Sequence, residues 1–128
     1  MLTILVAEFF SPMFSYEGLT VYKKAFDANQ KVYRLLKENK VIRSYAKNQL
    51  GRASLSIMLN IAEGSAKFGP RDRRNFYVIA RGSVFECASM VNFLYGEGEM
   101  IAELKDDLCA SYEEISKILF AMIKNLNE

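Results

Sequence analysis

Arg52-Ala53-Ser54-Leu55-Ser56-Ile57-Met58-Leu59-Asn60-Ile61-Ala62-Glu63-Gly64 runs through Gly69-Pro70 into Arg74-Asn75-Phe76-Tyr77-Val78-Ile79-Ala80-Arg81-Gly82-Ser83-Val84-Phe85-Glu86. On both sides of Gly69-Pro70 the apolar residues recur every three or four positions, and no segment alternates with period two, so both arms read as helices. Glycine suits the position past a helix end and proline the first turn of the next, which makes the pair a hairpin. The first arm runs from about Ser44 to Phe68 with Ala46, Leu50, Ala53, Ile57, Ile61 and Gly64 as its stripe. The second runs from Pro70 to Tyr95 and places Phe76, Ile79, Ala80, Ser83, Cys87, Met90 and Leu94 on one face.

Antiparallel pairing about Gly69 opposes Arg52 to Glu86, Ser56 to Gly82 and Ser83, and Glu63 to Arg74. Opposite charges then meet at both ends of the hairpin and small residues meet in the middle. Arg52, Ser56, Asn60 and Glu63 form one polar stripe, which with Ser83 and Glu86 reads as a hydrogen-bonded network fixing register between helices or subunits. As a catalytic pair Glu63 and Glu86 are unsuited. They lie towards opposite ends of the hairpin, and pairing to arginine keeps a carboxylate ionised, the wrong state for a general acid.

Outward from the hairpin, Tyr22, Ala25, Phe26, Val32, Tyr33 and Leu36 describe a first amphipathic helix from Leu19 to near Asn39. Leu108, Tyr112, Ile115, Leu119, Met122 and Leu126 describe a fourth, which begins between Glu99 and Asp106. The fold class is all-α, an antiparallel up-down-up-down four-helix bundle over residues 19–128. Residues 1–18 read as an N-terminal extension that packs on the body, or as an upstream start ahead of Met13. At 128 residues and 51% hydrophobic content, one core needs no metal or disulfide staple. The third helix carries a second apolar stripe, Tyr77, Val84, Ala88, Val91 and Tyr95, with Val78, Phe85 and Phe93 besides. Helix two adds Leu55, Met58, Leu59 and Ala62. A four-helix bundle has no interior that surrounds two helices, so this surplus points to contacts between subunits.

Composition removes several functions. There is no histidine and there are two cysteines, Cys87 and Cys109, which excludes a zinc cluster within one chain, a Ser-His-Asp or Cys-His arrangement, and the Glu-x-x-His di-iron site of bundles. No glycine-rich phosphate loop precedes a helix, and Gly64 and Gly82 read as points of close helix packing. No cofactor and no catalytic or metal-binding residue is indicated. The cysteines read as buried thiols in the cytoplasm. The apolar opening Met1 to Phe14 contains Glu8 and Pro12 and is shorter than the roughly 20 residues of a membrane span.

Net charge is +2, but from Lys23 to Arg81 fourteen Lys and Arg face four Asp and Glu, a balance of +10, whereas Gly82 to Glu128 stands at −6. The cations gather at Lys31, Arg34, Lys37, Lys40, Arg43 and Lys47 around the first turn, at Lys67, Arg71, Arg73 and Arg74 around the second, and at Lys23 and Lys24. The two turns of an up-down bundle lie at opposite ends, giving two basic tips suited to phosphates once repeated by symmetry. Lys37, Lys40, Arg43, Lys47, Lys67, Arg71, Arg73 and Arg74 are the candidate nucleic-acid contacts; a solvated surface is the blander account. Tyr33, Tyr45 and Phe68 lie near the tips and could stack bases, with Tyr33 and Phe68 read as core.

The two halves of the hairpin resemble the four-helix bundle family of proteins encoded in 23S ribosomal RNA intervening sequences. The resemblance lies in Arg-Ala-small-x-Ser-Ile-x-x-Asn-Ile-Ala-Glu-Gly at Arg52–Gly64 and Phe-x-x-Ile-Ala-x-Gly-Ser-x-x-Glu at Phe76–Glu86. It extends from Leu19 to about Leu126, with the specific motifs on helices two and three. The resemblance implies a ring-like homopentamer, with relatives that serve as accessory proteins of diversity-generating retroelements and bind nucleic acid and a reverse transcriptase. Its polar positions here are Arg52, Ser56, Asn60, Glu63, Ser83 and Glu86. Gly69-Pro70-Arg71-Asp72 replaces the family's more common polar cap. The leading expectation is a non-enzymatic homo-oligomer that binds structured RNA or DNA through its tips. The alternative is a protein-interaction scaffold.

Overall fold

The structure, a computed structural model, describes residues 14–126. A 3-10 turn at Ser15–Gly18 leads into α1 (Thr20–Glu38), α2 (Ser44–Ser65), α3 (Pro70–Gly96) and α4 (Ala102–Asn125). The reading of residues 1–13 as a packed extension lies outside the described residues. Helix α2 stops at Ser65, three residues before the sequence reading ended it, because the chain turns at Ala66 to set Gly69 as N-cap and Pro70 in the first turn of α3.

Each helix packs chiefly on two others, in the cyclic order α1, α2, α3, α4. The cross-helix contacts run in opposite numerical directions, which makes every adjacent pair antiparallel. Lys24 and Lys31 meet Glu114 and Asp107, Gln49 and Ser56 meet Glu86 and Ser83, and Arg81 and Asn92 meet Ser116 and Cys109.

The core follows a spacing of alternating threes and fours. Val21, Ala25, Ala28 and Val32 of α1, Leu108, Tyr112, Ile115 and Leu119 of α4, and Tyr77, Ala80, Val84, Cys87, Val91 and Leu94 of α3 are all buried. This is the seam of helices crossing at a shallow angle, and it corrects the sequence reading of α3. Tyr77, Val84 and Val91 belong to the core rather than to a second stripe, and Ile79 is exposed. Phe26 and Tyr33 each follow a seam residue, so they point about 100° away from it and are exposed. Tyr33 and Phe68 are therefore not core residues.

Helices α2 and α3 pack tightly where Gly64 faces Tyr77. A methyl group at Gly64 would stand 2.7 Å from Tyr77 Cε1 and 2.9 Å from Cδ1, and Tyr77 is buried, so its ring cannot swing clear. Gly82, read from sequence as a packing glycine too, has open space instead: a methyl there meets nothing within 4 Å.

Two opposing effects decide the outcome of Gly64→Ala. Alanine favours a helix interior by up to about 1 kcal/mol, while overpacking a filled site costs about 1–3 kcal/mol. Urea unfolding should show net destabilisation. A variant as stable as the parent would contradict this packing of α2 on α3.

Candidate functional site

The turn between α2 and α3 is built by its own cations. The Arg73 guanidinium donates from a terminal nitrogen to the Lys67 carbonyl at 2.8 Å, and the Lys67 ammonium stands 5.0 Å above the Phe76 ring. Between them Phe68 is fully exposed, at 103%, because the early end of α2 carries it off the core. Arg71 is exposed beside it and Arg73 and Arg74 are half-buried on the first turn of α3. Backbone N–H groups at a helix start favour anions, and Asp72 is the acidic residue in that first turn. Four cations, an exposed aromatic ring and a helix N-terminus thus share one tip.

The turn between α1 and α2 is different. Asn39 Oδ1 accepts from the backbone N–H groups of Val41 and Ile42 at 2.7 and 2.8 Å, and Lys47 Nζ donates to the Asn39 carbonyl. Lys37, Lys40 and Arg43 are exposed. Arg43, however, lines a groove with Glu86, Glu97 and Glu99, and Glu38 and Glu99 flank a neighbouring hollow. The connection from α3 to α4 brings these carboxylates to the same end, so the two tips differ in charge. Lys24 and Lys31 pair with Glu114 and Asp107 of α4 at 2.8 and 2.6 Å. Part of the basic bias of α1 is therefore answered by α4, each exposed pair contributing under about 1 kcal/mol.

Of the expected polar network the structure joins three members. Ser56 and Ser83 hydroxyls stand 2.7 Å apart, and Asn60 Nδ2 donates to the Ser56 carbonyl and hydroxyl at 2.8 and 3.0 Å. Arg52, Glu63 and Glu86 are exposed. Glu86 accepts from Gln49 Nε2 at 2.8 Å rather than pairing with Arg52, because the nearer, shorter amide lies one turn earlier on α2. No ion pair joins Glu63 to Arg74. The register was legible from the serines, and the charged ends of the stripe face outward.

Nothing in this arrangement assembles a nucleophile with a base. Cys87 is fully buried, and burial pushes its thiol up to about 11, with Glu86 adding to the rise and Ser54 opposing it. Such a thiol is inert at neutral pH. Cys109 is half-buried rather than buried as the sequence suggested, 3.7 Å from Asn92 Oδ1. Among the described residues no three His, Cys, Asp or Glu side chains are grouped to hold a metal ion, and no helix is long and apolar enough to cross a membrane.

The buried Cys87 thiol and Tyr112 phenol, both raised chiefly by desolvation, set a pH dependence. Ionisation comes first in the unfolded chain. The Cys87 contribution, on the order of 3 kcal/mol, is complete below about pH 9 and is lost as pH rises towards 11, whereas that of Tyr112 begins to fall only above the ordinary phenol value of 10.0. Urea midpoints measured from pH 8 to 11 should fall, and Cys87→Ala should make the fall shallower. An unchanged slope in that variant would contradict the assignment.

No curated protein matches the chain. A crystal structure of a protein with unknown function from the S23 ribosomal protein family of Bacteroides thetaiotaomicron superposes with a TM-score of 0.78 at 23% identity. The match covers 82% of this chain and 99% of that one, a likeness of fold. The family model described as 23S rRNA-intervening sequence protein matches residues 17–121, which run from the end of the 3-10 turn through α1 and the α2–α3 hairpin with its exposed basic tip to most of α4. The chain belongs to the 23S rRNA-intervening sequence protein family.

Proposed function

We propose that this chain is a non-enzymatic, homo-oligomeric bundle that binds structured RNA or DNA through the α2–α3 tip, in the manner of a ribosomal-RNA intervening-sequence or retroelement-accessory protein. The observation that carries the reading is Phe68, fully exposed between Lys67 and Arg71. An aromatic ring turned to water weakens nothing when removed from the fold, yet stacked on a base it contributes about 1–3 kcal/mol. The cations around it supply phosphate contacts. The charge-compensated first tip, with Lys37, Lys40, Arg43 and Lys47, is the lesser contributor.

Fifteen large apolar residues left exposed among the described residues support the homo-oligomeric reading, since contiguous apolar surface marks interaction sites. Five copies, as the family resemblance implies, would multiply one weak tip into an avid set. A reverse transcriptase is the protein partner that the same resemblance implies.

Fluorescence anisotropy with a labelled RNA hairpin and a matched DNA duplex, titrated from about 50 to 200 mM salt, tests the reading. Binding should weaken by about 10³-fold or more if six or more phosphates are engaged. Phe68→Ala should lose about 1–3 kcal/mol, and Arg71→Ala should lower the salt slope, both without loss of helicity. Absence of binding at the low-salt end would overturn the reading in favour of a protein-interaction scaffold.

A further inference from the structure

The turn at Ser15–Gly18 rests on both α1 and α2, so the chain enters the bundle over the groove between these two helices. A row of aromatic rings runs from that entry along α1. Phe14 stacks on Tyr16 at 5.9 Å, Tyr16 meets Tyr22 at 4.7 Å, and Tyr22 meets Phe26 at 6.2 Å. The row ends at a hollow of about 530 Å³ lined by Phe26, Asn29, Gln30, Tyr33, Arg34 and Met58. Phe26 and Tyr33 are exposed there. Arg34 stands at the rim with Nε–H donating to the Gln30 carbonyl at 3.3 Å, and no carboxylate among the described residues pairs with it.

Residues 1–13 precede that entry, and nine of the thirteen are apolar. Removing such side chains from water is favourable wherever a surface is within reach. The segment's one charged side chain is Glu8, whereas α1 carries five Lys and Arg against two Asp and Glu. Reach is sufficient. The twelve residues from Leu2 to Met13 span up to about 40 Å when extended, and Tyr22 to Tyr33 rises about 17 Å along α1. Phe9 and Phe10 lie five and four residues ahead of Phe14, a reach of about 13–18 Å, which matches the length of the aromatic row. The family match begins at residue 17, so the segment lies outside what the family model describes.

We propose that residues 2–10 of this same chain fold back along α1 and occupy the α1–α2 hollow. Phe9 and Phe10 extend the aromatic row onto Phe26 and Met58, Glu8 meets the cations of α1, and the apolar run Ile4-Leu5-Val6 continues towards Tyr33. The contact is intramolecular, so its strength is set by the tether rather than by protein concentration. It also has a consequence for the α2–α3 tip. Because α1 and α2 are antiparallel, the start of α1 and the end of α2 share one end of the bundle, and the segment is rooted at the end that carries Phe68. Docking along α1 leads it away from that tip and leaves the tip open.

Photo-cross-linking of the full chain tests the proposal, with p-benzoylphenylalanine in place of Phe9 in one preparation and of Ile4 in another. Circular dichroism checks that both stay helical, and a denaturing gel separates links within one chain from links between two. Mass spectrometry of the single-chain band should place the position-9 links on Tyr22 to Gln30 or on Met58, and the position-4 links around Tyr33. Adding Tyr33→Glu, an exposed position whose change leaves the core intact, should lower the position-4 yield several-fold. Links confined to α3 or α4, links formed only between two chains, or a yield no higher than in urea would overturn the docking. An unchanged yield with Tyr33→Glu would overturn it as well. None of these outcomes bears on nucleic-acid binding, which the anisotropy titration tests separately.

Discussion

The close contact of α2 with α3 is the constraint on which the rest of this molecule depends. A helix pair can approach this far only where one side gives up a side chain, and Gly64 does so beneath the Tyr77 ring. The Ser56–Ser83 hydrogen bond, 2.7 Å long, then locks rotation and register with two of the smallest polar side chains, so no bulky group separates the backbones. From that hairpin the other elements take their places. Helix α1 leans on α2 through Asn29 and Ser54, and α4 leans on α3 along a seam that buries Cys87 and Tyr112. A buried, filled seam tolerates little change of volume, which makes the turn at the end of the hairpin a rigid platform.

Charge then distinguishes the two ends of that platform. Read along the chain, the first half is basic and the second acidic, and the antiparallel return of α4 beside α1 sets part of one against part of the other. Lys24–Glu114 and Lys31–Asp107 are that compensation. Glu97 and Glu99 do the same near Arg43. The α2–α3 turn receives no comparable set of carboxylates from the α3–α4 connection, which lies at the other end of the bundle. Lys67, Arg71 and the exposed Phe68 are what that end presents to a polyanion.

Much of this was legible from sequence, and the gaps have physical causes. Four helices, the Gly69-Pro70 turn and the opposition of Ser56 to Ser83 follow from periodicity and from where small residues fall. The core face of α3 did not follow, because that helix is apolar on most sides and periodicity cannot rank two stripes of equal hydrophobicity. Only the partner helices choose Tyr77, Val84 and Val91. Phe26 and Tyr33 looked like core for the same reason, lying one residue beyond the true seam. The Arg52–Glu86 pair failed because a register predicts which residues are opposite, not which of two nearby donors, Gln49 or Arg52, reaches the carboxylate. Phe68 was misread through the helix end: three residues of overextension turn a loop aromatic into a buried one. A signal was present, since the Ser65-Ala66-Lys67 run before Phe68 lacks the apolar spacing of the preceding turns.

The central claim is that nucleic acid meets this protein at the end of the α2–α3 hairpin. Ultraviolet cross-linking of the wild-type protein to a bound RNA hairpin, with the modified peptide mapped by mass spectrometry, addresses that claim most directly. The account predicts cross-links within Lys67–Arg74, centred on Phe68. Cross-links confined to α4 or to the turn between α1 and α2 would contradict it.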